Sequence, residues 1–129
     1  MARLSFVPSL LAVFVLFFTA VFAAPVPVAN QRRDLFSGTA TYFEVGLGNC
    51  GWQSVDTDWV VALAKSTYGD GEHCGKQVKI TNSDGTEATA TVVDSCQSCA
   101  AGDLDMSPGL FSHFASLGLG VFSISWEFE

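Results

Sequence analysis

Apolar and polar positions alternate along much of residues 38–128, a period that predicts strands rather than helices. Gly38–Glu44 alternates and is rich in β-forming residues. Lys76–Thr81 and Thr86–Val93 flank Asn82-Ser83-Asp84-Gly85, whose Asp-Gly pair predicts a hairpin turn. Val121–Phe128 alternates cleanly and puts Phe122, Ile124, Trp126 and Phe128 on one face. The apolar run Trp59–Ala64 fits either a short helical turn or a fully buried strand, which periodicity cannot separate. Trp59 and Trp126 are expected in the core. One helix is expected after Ser107, an N-cap followed by Pro108 at the first helical position. Its apolar stripe is Leu110, Phe111, Phe114 and Leu117, and Gly118 and Gly120 end it. Several short strands with one brief helix predict a small all-β barrel.

The N-terminal hydrophobic block has a different meaning. Arg3, the apolar stretch Leu10–Phe18 and the small residues around Val21-Phe22-Ala23 predict a secretory signal peptide over residues 1–23. The apolar run is shorter than the roughly 20 residues a membrane-spanning helix needs. Residues 24–33 carry Pro25 and Pro27 and end in Arg32-Arg33, as expected of a propeptide or tail outside the fold. The folded domain is then residues 34–129, expected to be monomeric.

Cysteines and charge narrow the class. All 4 cysteines, Cys50, Cys74, Cys96 and Cys99, lie in that domain, so two disulfides are expected in an exported chain. Only Cys96 and Cys99 form a CxxC pair, so the paired spacing of a structural zinc site is missing, and no metal or cofactor is expected. The domain keeps all 13 acidic residues but only Lys65, Lys76 and Lys79, which leaves a net charge of −10. That surface repels phosphate backbones and anionic lipid, so neither nucleic acid nor, after processing, a membrane is expected as partner.

Candidate chemistry gathers in Ala90–Pro108. Asp94 follows Val92-Val93 at the mouth of an apolar strand, where a partly desolvated carboxyl suits holding or donating a proton. It equally suits capping the backbone of Ser95–Gln97. Asp103 and Asp105 flank Leu104 and, in extended chain, point to one side. Two nearby carboxylates are what glycosidic cleavage requires. Capping of the Ser107 helix by Asp105 is the stronger reading from the residues alone. His113 reads as a half-exposed helix residue, and no Ser-His-Asp arrangement is legible. Trp52, after Cys50-Gly51, is the best candidate for an exposed ring able to stack on a sugar face.

Taken in order, seven motifs carry a family resemblance: Thr39-Ala-Thr-Tyr-Phe43, Asn49-Cys-Gly-Trp52, Trp59-Val-Val-Ala-Leu63, His73-Cys-Gly-Lys76, Thr91-Val-Val-Asp-Ser-Cys-Gln-Ser-Cys99, Asp103-Leu-Asp-Met-Ser-Pro108 and Val121–Phe128. They resemble the double-psi β-barrel domain of expansin-like proteins, most nearly the single-domain fungal loosenins, with barwin and rare lipoprotein A as wider relatives. The resemblance implies a six-stranded double-psi β-barrel with one or two short helices. It also implies a shallow groove that binds cell-wall polysaccharide, cellulose, chitin or a related glucan, and loosens it without hydrolysis. It places Asp105 where related family 45 glycoside hydrolases hold their general acid, Asp94 at the second groove carboxylate and Tyr42 at the groove tyrosine. Trp52 and Asp103 join Tyr42 as expected substrate contacts. Barwin-type pairing implies Cys50–Cys74 and Cys96–Cys99.

The sequence also departs from its relatives. Glu44 stands nearest to where the hydrolases carry their base. Ser95 and Gln97-Ser98 replace an Arg and a Pro-Gly at the groove's edge. The carbohydrate-binding second domain of true expansins is not expected, which would lower affinity for crystalline polymer. Two rivals stay open: a glycan-cleaving enzyme with Asp105 as acid, and a protein-binding module such as a protease inhibitor or effector.

Overall fold

The computed structural model describes residue 12, residues 15–25 and residues 33–129. Most of the expected 1–23 leader and of the 24–33 tail lies outside the described residues. Residues 15–25 carry neither helix nor strand, and among the described residues no helix is long and apolar enough to cross a membrane.

Residues 33–129 form a closed six-stranded barrel of the double-psi type, in agreement with the motifs. Its strands are β1 (Phe36–Tyr42), β2 (Val60–Ala64), β3 (Gln77–Asn82), β4 (Glu87–Cys96), β5 (Leu104–Met106) and β6 (Phe122–Phe128). Two short helices, α1 (Lys65–Tyr68) and α2 (Pro108–Phe114), interrupt them. Around the barrel the order is β1-β5-β2-β4-β3-β6, and β6 returns to β1. The β1–β5 and β2–β4 pairs are parallel, and the other pairs are antiparallel.

The alternation does what it predicts. Inward positions Ala40, Val61, Leu63, Val78, Ile80, Val92, Leu104, Met106, Ile124 and Trp126 fill the core. All five residues of β2 are buried, which settles the Trp59–Ala64 ambiguity in favour of a strand hidden on both faces. Trp59 itself is a correction. It stands just before β2, 42% exposed and tilted against His113 with ring centroids 4.8 Å apart, not in the core.

Between β3 and β4 the turn is held by Asn82, whose Oδ1 accepts from the backbone N–H of Asp84 (3.1 Å) and Thr86 (2.9 Å). Helix α2 closes one end of the barrel with fully buried Leu110 and Phe111. Ser107 caps it, accepting from the Leu110 N–H at 3.4 Å and donating to the Asp58 carbonyl. The helix stops at Phe114, a turn earlier than the stripe predicts. Leu117 opens a separate 3₁₀ turn, Leu117–Leu119, started by the Ser116 hydroxyl on the Gly118 N–H.

The cysteines are all paired, Cys50 with Cys74 and Cys96 with Cys99. In the chain-entropy picture the long bridge, with a sequence separation of 24, restrains the unfolded chain by about 3.5 kcal/mol. The short one, with a separation of 3, contributes only about 2 kcal/mol. Its larger effect is to shape the loop that follows β4.

Candidate functional site

Strand register builds the site. Thr41 on β1 pairs with Asp105 on β5, Asp105 pairs with Ala62 on β2, and Ala62 pairs with Asp94 on β4. Residues in register across neighbouring strands share a face. One row therefore runs Thr41–Asp105–Ala62–Asp94, with two carboxylates separated by one strand and only a methyl group between them. At a strand spacing of about 4.8 Å, their α-carbons stand roughly 10 Å apart.

The two carboxylates are held differently. Asp105 is half-buried, and its Oδ1 accepts one hydrogen bond, from the Thr41 hydroxyl at 2.9 Å. Burial raises its pKa above the ordinary aspartate value, the Thr41 bond opposes the rise, and the nearby charge of Asp94 adds to it. Asp94 accepts two backbone N–H groups on its Oδ1, from Asn49 and Ser95, both at 2.8 Å. The Asn49 bond draws the 46–54 loop onto the end of β4. Gly48 makes that approach possible, because a Cβ there would lie 2.2 Å from the Val93 carbonyl oxygen.

The Cys96–Cys99 disulfide borders the row. Its two sulfurs and a carboxylate oxygen of Asp105 lie within 4.8 Å of one another. As a disulfide the pair offers no thiolate, so this cluster is not a ready metal site.

Other expected site residues fall elsewhere. Asp103 engages both oxygens within the protein. Its Oδ1 accepts from the Thr39 N–H (2.9 Å) and hydroxyl (3.2 Å), and its Oδ2 from the Ala100 N–H (3.1 Å). It holds the loop entering β5 against β1 and has little capacity left for a ligand. Asp105 makes no bond to α2, whose cap is Ser107 alone, so the capping reading of Asp105 does not hold. Tyr42 pairs in register with Met106, on the opposite side of the sheet from Thr41 and Asp105. Its ring meets Phe111 edge-on at 4.9 Å and is 39% exposed at the barrel end. Trp52 is 47% exposed and lies over Gly75, beside the Cys50–Cys74 bridge. His113 is exposed, with its Nε2 3.0 Å from the Glu87 carbonyl oxygen. Glu44 is exposed beyond the end of β1.

Sequence reasoning marked Ser95 and Gln97 only as departures at the groove's edge, and gave Thr41 and Asn49 no role beyond the motifs that contain them. Thr41 is signalled by spacing: Thr39 and Thr41 repeat the two-residue step of Asp103 and Asp105, as facing strands require.

The chain carries a closed double-psi barrel fold of the expansin, barwin and rare lipoprotein A kind, with a row of two carboxylates on one flank. No protein-family model matches it. It is 38% identical over 81 residues to an allergen Asp f 7 homolog from Arthroderma benhamiae, covering 58% of this chain and 27% of that protein. The chain thus spans little more than a quarter of that relative's length. An apo expansin from Clavibacter michiganensis superposes with a TM-score of 0.66 at 25% identity, covering 74% of this chain and 50% of that one. The Streptomyces papain inhibitor gives the same TM-score at 27% identity, with 74% and 94% covered.

Proposed function

We propose that this is an extracellular, non-hydrolytic, expansin-like domain that binds cell-wall polysaccharide of the cellulose or chitin type and loosens it. The observation that carries this reading is the row Asp105–Ala62–Asp94. Among the described residues, each of its carboxylates keeps one oxygen without a protein donor. Such oxygens accept sugar hydroxyls in charge-assisted hydrogen bonds worth about 1.5–3 kcal/mol each. Those bonds compete with the hydrogen bonds that hold one glycan chain to the next. Trp52 supplies a nearby apolar ring on the loop that reaches Asp94.

Hydrolysis would need an acid and a second carboxylate free to act as base or nucleophile. Asp103 is bound to Thr39 and Ala100 and Glu44 lies past the end of β1, so Asp94, with one oxygen free, is the group that a hydrolytic reading would have to pair with Asp105.

The test is incubation of the protein with cellulose and chitin, scoring pull-down and released reducing ends together. Binding without release is expected. Release above background would make Asp105 the acid of an enzyme. A second reading, a protein-binding module, is favoured by the 94% coverage of the Streptomyces papain inhibitor. Tight binding to a cysteine protease with no retention on polysaccharide would establish it.

A further inference from the structure

We propose that the Cys96–Cys99 disulfide is a thiol-exchange site that opens at the Cys99 sulfur and selects thiols carrying positive charge, with Asp105 setting that preference. It requires no glycan in the groove.

The two bridges do different work. Cys50–Cys74 ties together loop residues with a sequence separation of 24, so it holds distant parts of the chain. Cys96–Cys99 spans a separation of 3, and the chain on both sides of it is fastened by other means. On one side Cys96 is the last residue of β4 and pairs with Ala64 of β2. On the other, Asp103 donates its N–H to the Ala100 carbonyl at 3.0 Å and accepts from the Ala100 N–H at 3.1 Å. The Trp126 indole then holds the Gly102 carbonyl at 2.8 Å. Opening the short bridge leaves these anchors in place.

Register places the bridge among carboxylates. Cys96 lies two residues beyond Asp94 and so on the same face of β4. A carboxylate oxygen of Asp105 lies within 4.8 Å of both sulfurs. Cys96 is 8% exposed and Cys99 is the more open of the two, so an incoming thiolate meets the Cys99 sulfur. A new sulfur–sulfur bond forms there, the Cys96–Cys99 bond breaks, and its electron pair stays on Cys96. The Ser98 hydroxyl, 3.7 Å from the Cys96 sulfur, can donate to that thiolate. A second thiolate then attacks the outer sulfur of the mixed disulfide. Two molecules of the external thiol are oxidised to their disulfide, and the protein pair, after taking two protons, is a dithiol. Reactive CxxC pairs owe their speed to a cation or a helix N-terminus that stabilises the thiolate. Here no helix follows β4 before Pro108, and among the described residues neither Asp94 nor Asp105 has a salt-bridge partner. The Asp105 charge therefore opposes both the arriving thiolate and the departing one, and a positive group on the incoming molecule offsets that repulsion.

The decisive experiment treats the intact, folded protein with cysteamine, 2-mercaptoethanol and mercaptoacetate, which are cationic, neutral and anionic thiols. Each is used at matched thiolate concentration, and each rate is divided by that thiol's rate with a small uncharged disulfide. Acid quenching, alkylation and peptide mass spectrometry locate the opened sulfurs. Cys96 and Cys99 are expected to open while Cys50–Cys74 stays closed, with the mixed disulfide on Cys99. Cysteamine should exceed mercaptoacetate by roughly tenfold, and added salt should shrink that ratio. Asp105→Asn should bring the ratio toward one. Asp84→Asn, which removes one charge at the exposed β3–β4 turn, should leave it unchanged. If Asp105→Asn fails to fold, the salt series on the parent and the position of the adduct still decide. Opening of both bridges together, or an adduct on Cys96, overturns the exchange site. Equal normalised rates for the three thiols, or an equal effect of Asp84→Asn, overturns the charge selection by Asp105.

Discussion

Asp103 and Asp105 are two residues apart, and each faces a threonine of β1, Thr39 and Thr41. They nevertheless do opposite work. Around Asp103, three donors converge on the two oxygens. Beside it, Gly102 crosses β1 so closely that its missing Cβ would lie 2.2 Å from the Ser37 carbonyl oxygen. The Trp126 indole donates to the Gly102 carbonyl at 2.8 Å. That region is a seam, in which both Asp103 oxygens and the Gly102 carbonyl are answered by the protein. One step along the strand, Asp105 has a single donor and a pKa raised by burial. What separates the two carboxylates is therefore their number of protein partners, not their residue type.

The contrast can be attacked at the seam first. Gly102→Ala should be the most damaging change, because it sets a Cβ against backbone at a φ of +89°. A loss of about 3 kcal/mol or more is expected from strain and overpacking together. Chemical denaturation would measure it, and a loss below 1 kcal/mol would mean the seam is soft. Asp103→Ala comes next. It strips the Thr39 and Ala100 N–H groups of their acceptor and should cost about 2 kcal/mol. Glycan binding by the folded fraction should stay intact, and a selective binding loss at unchanged melting temperature would return Asp103 to the site.

Asp105→Asn should change stability least and function most. At neutral pH its melting temperature should lie within about 2 °C of the parent, while polysaccharide binding falls at least severalfold. The pH dependence has a definite sign. A carboxyl whose folded pKa is raised contributes its full stability below the ordinary aspartate pKa, and that contribution is lost as pH rises through the folded value. The parent should therefore lose ground to Asp105→Asn as pH rises through that window. Thermal melts of both proteins across acidic to neutral pH would show it, and a gap that closed in the other direction would contradict burial as the cause.

Much of the barrel was legible beforehand, for reasons particular to each strand. β3, β4 and β6 each have one face in the core and one outside, so they alternate, and Asp84-Gly85 marks the turn. β2 has no exposed face and so no alternation to read. β5 is three residues long, and only its register with β1 and β2 makes it a strand. The stripe that carried the helix on to Leu117 counted apolar residues without the Ser116 cap that starts a new turn. For the site, the family motifs brought attention to Asp94 and Asp105. Which aspartate on either side of Leu104 stayed free depends on contacts made 64 residues away. Trp59 reads as core from its apolar neighbours, yet its ring leaves the strand before β2 begins.

The order of strands around the barrel also carries a kinetic cost. β1 comes first in the chain, yet its hydrogen-bonding partners are β5 and β6, the last two strands. No local pairing can hold it while the middle of the chain takes shape. The β3–β4 hairpin can form early, but the loop that joins β1 to Leu104 must close before β1 gains anything. Folding should therefore be slow for a chain of this size and close to all-or-none. A nascent chain lacking Phe122–Phe128 would expose open strand edges on both β1 and β3, the two neighbours that β6 joins.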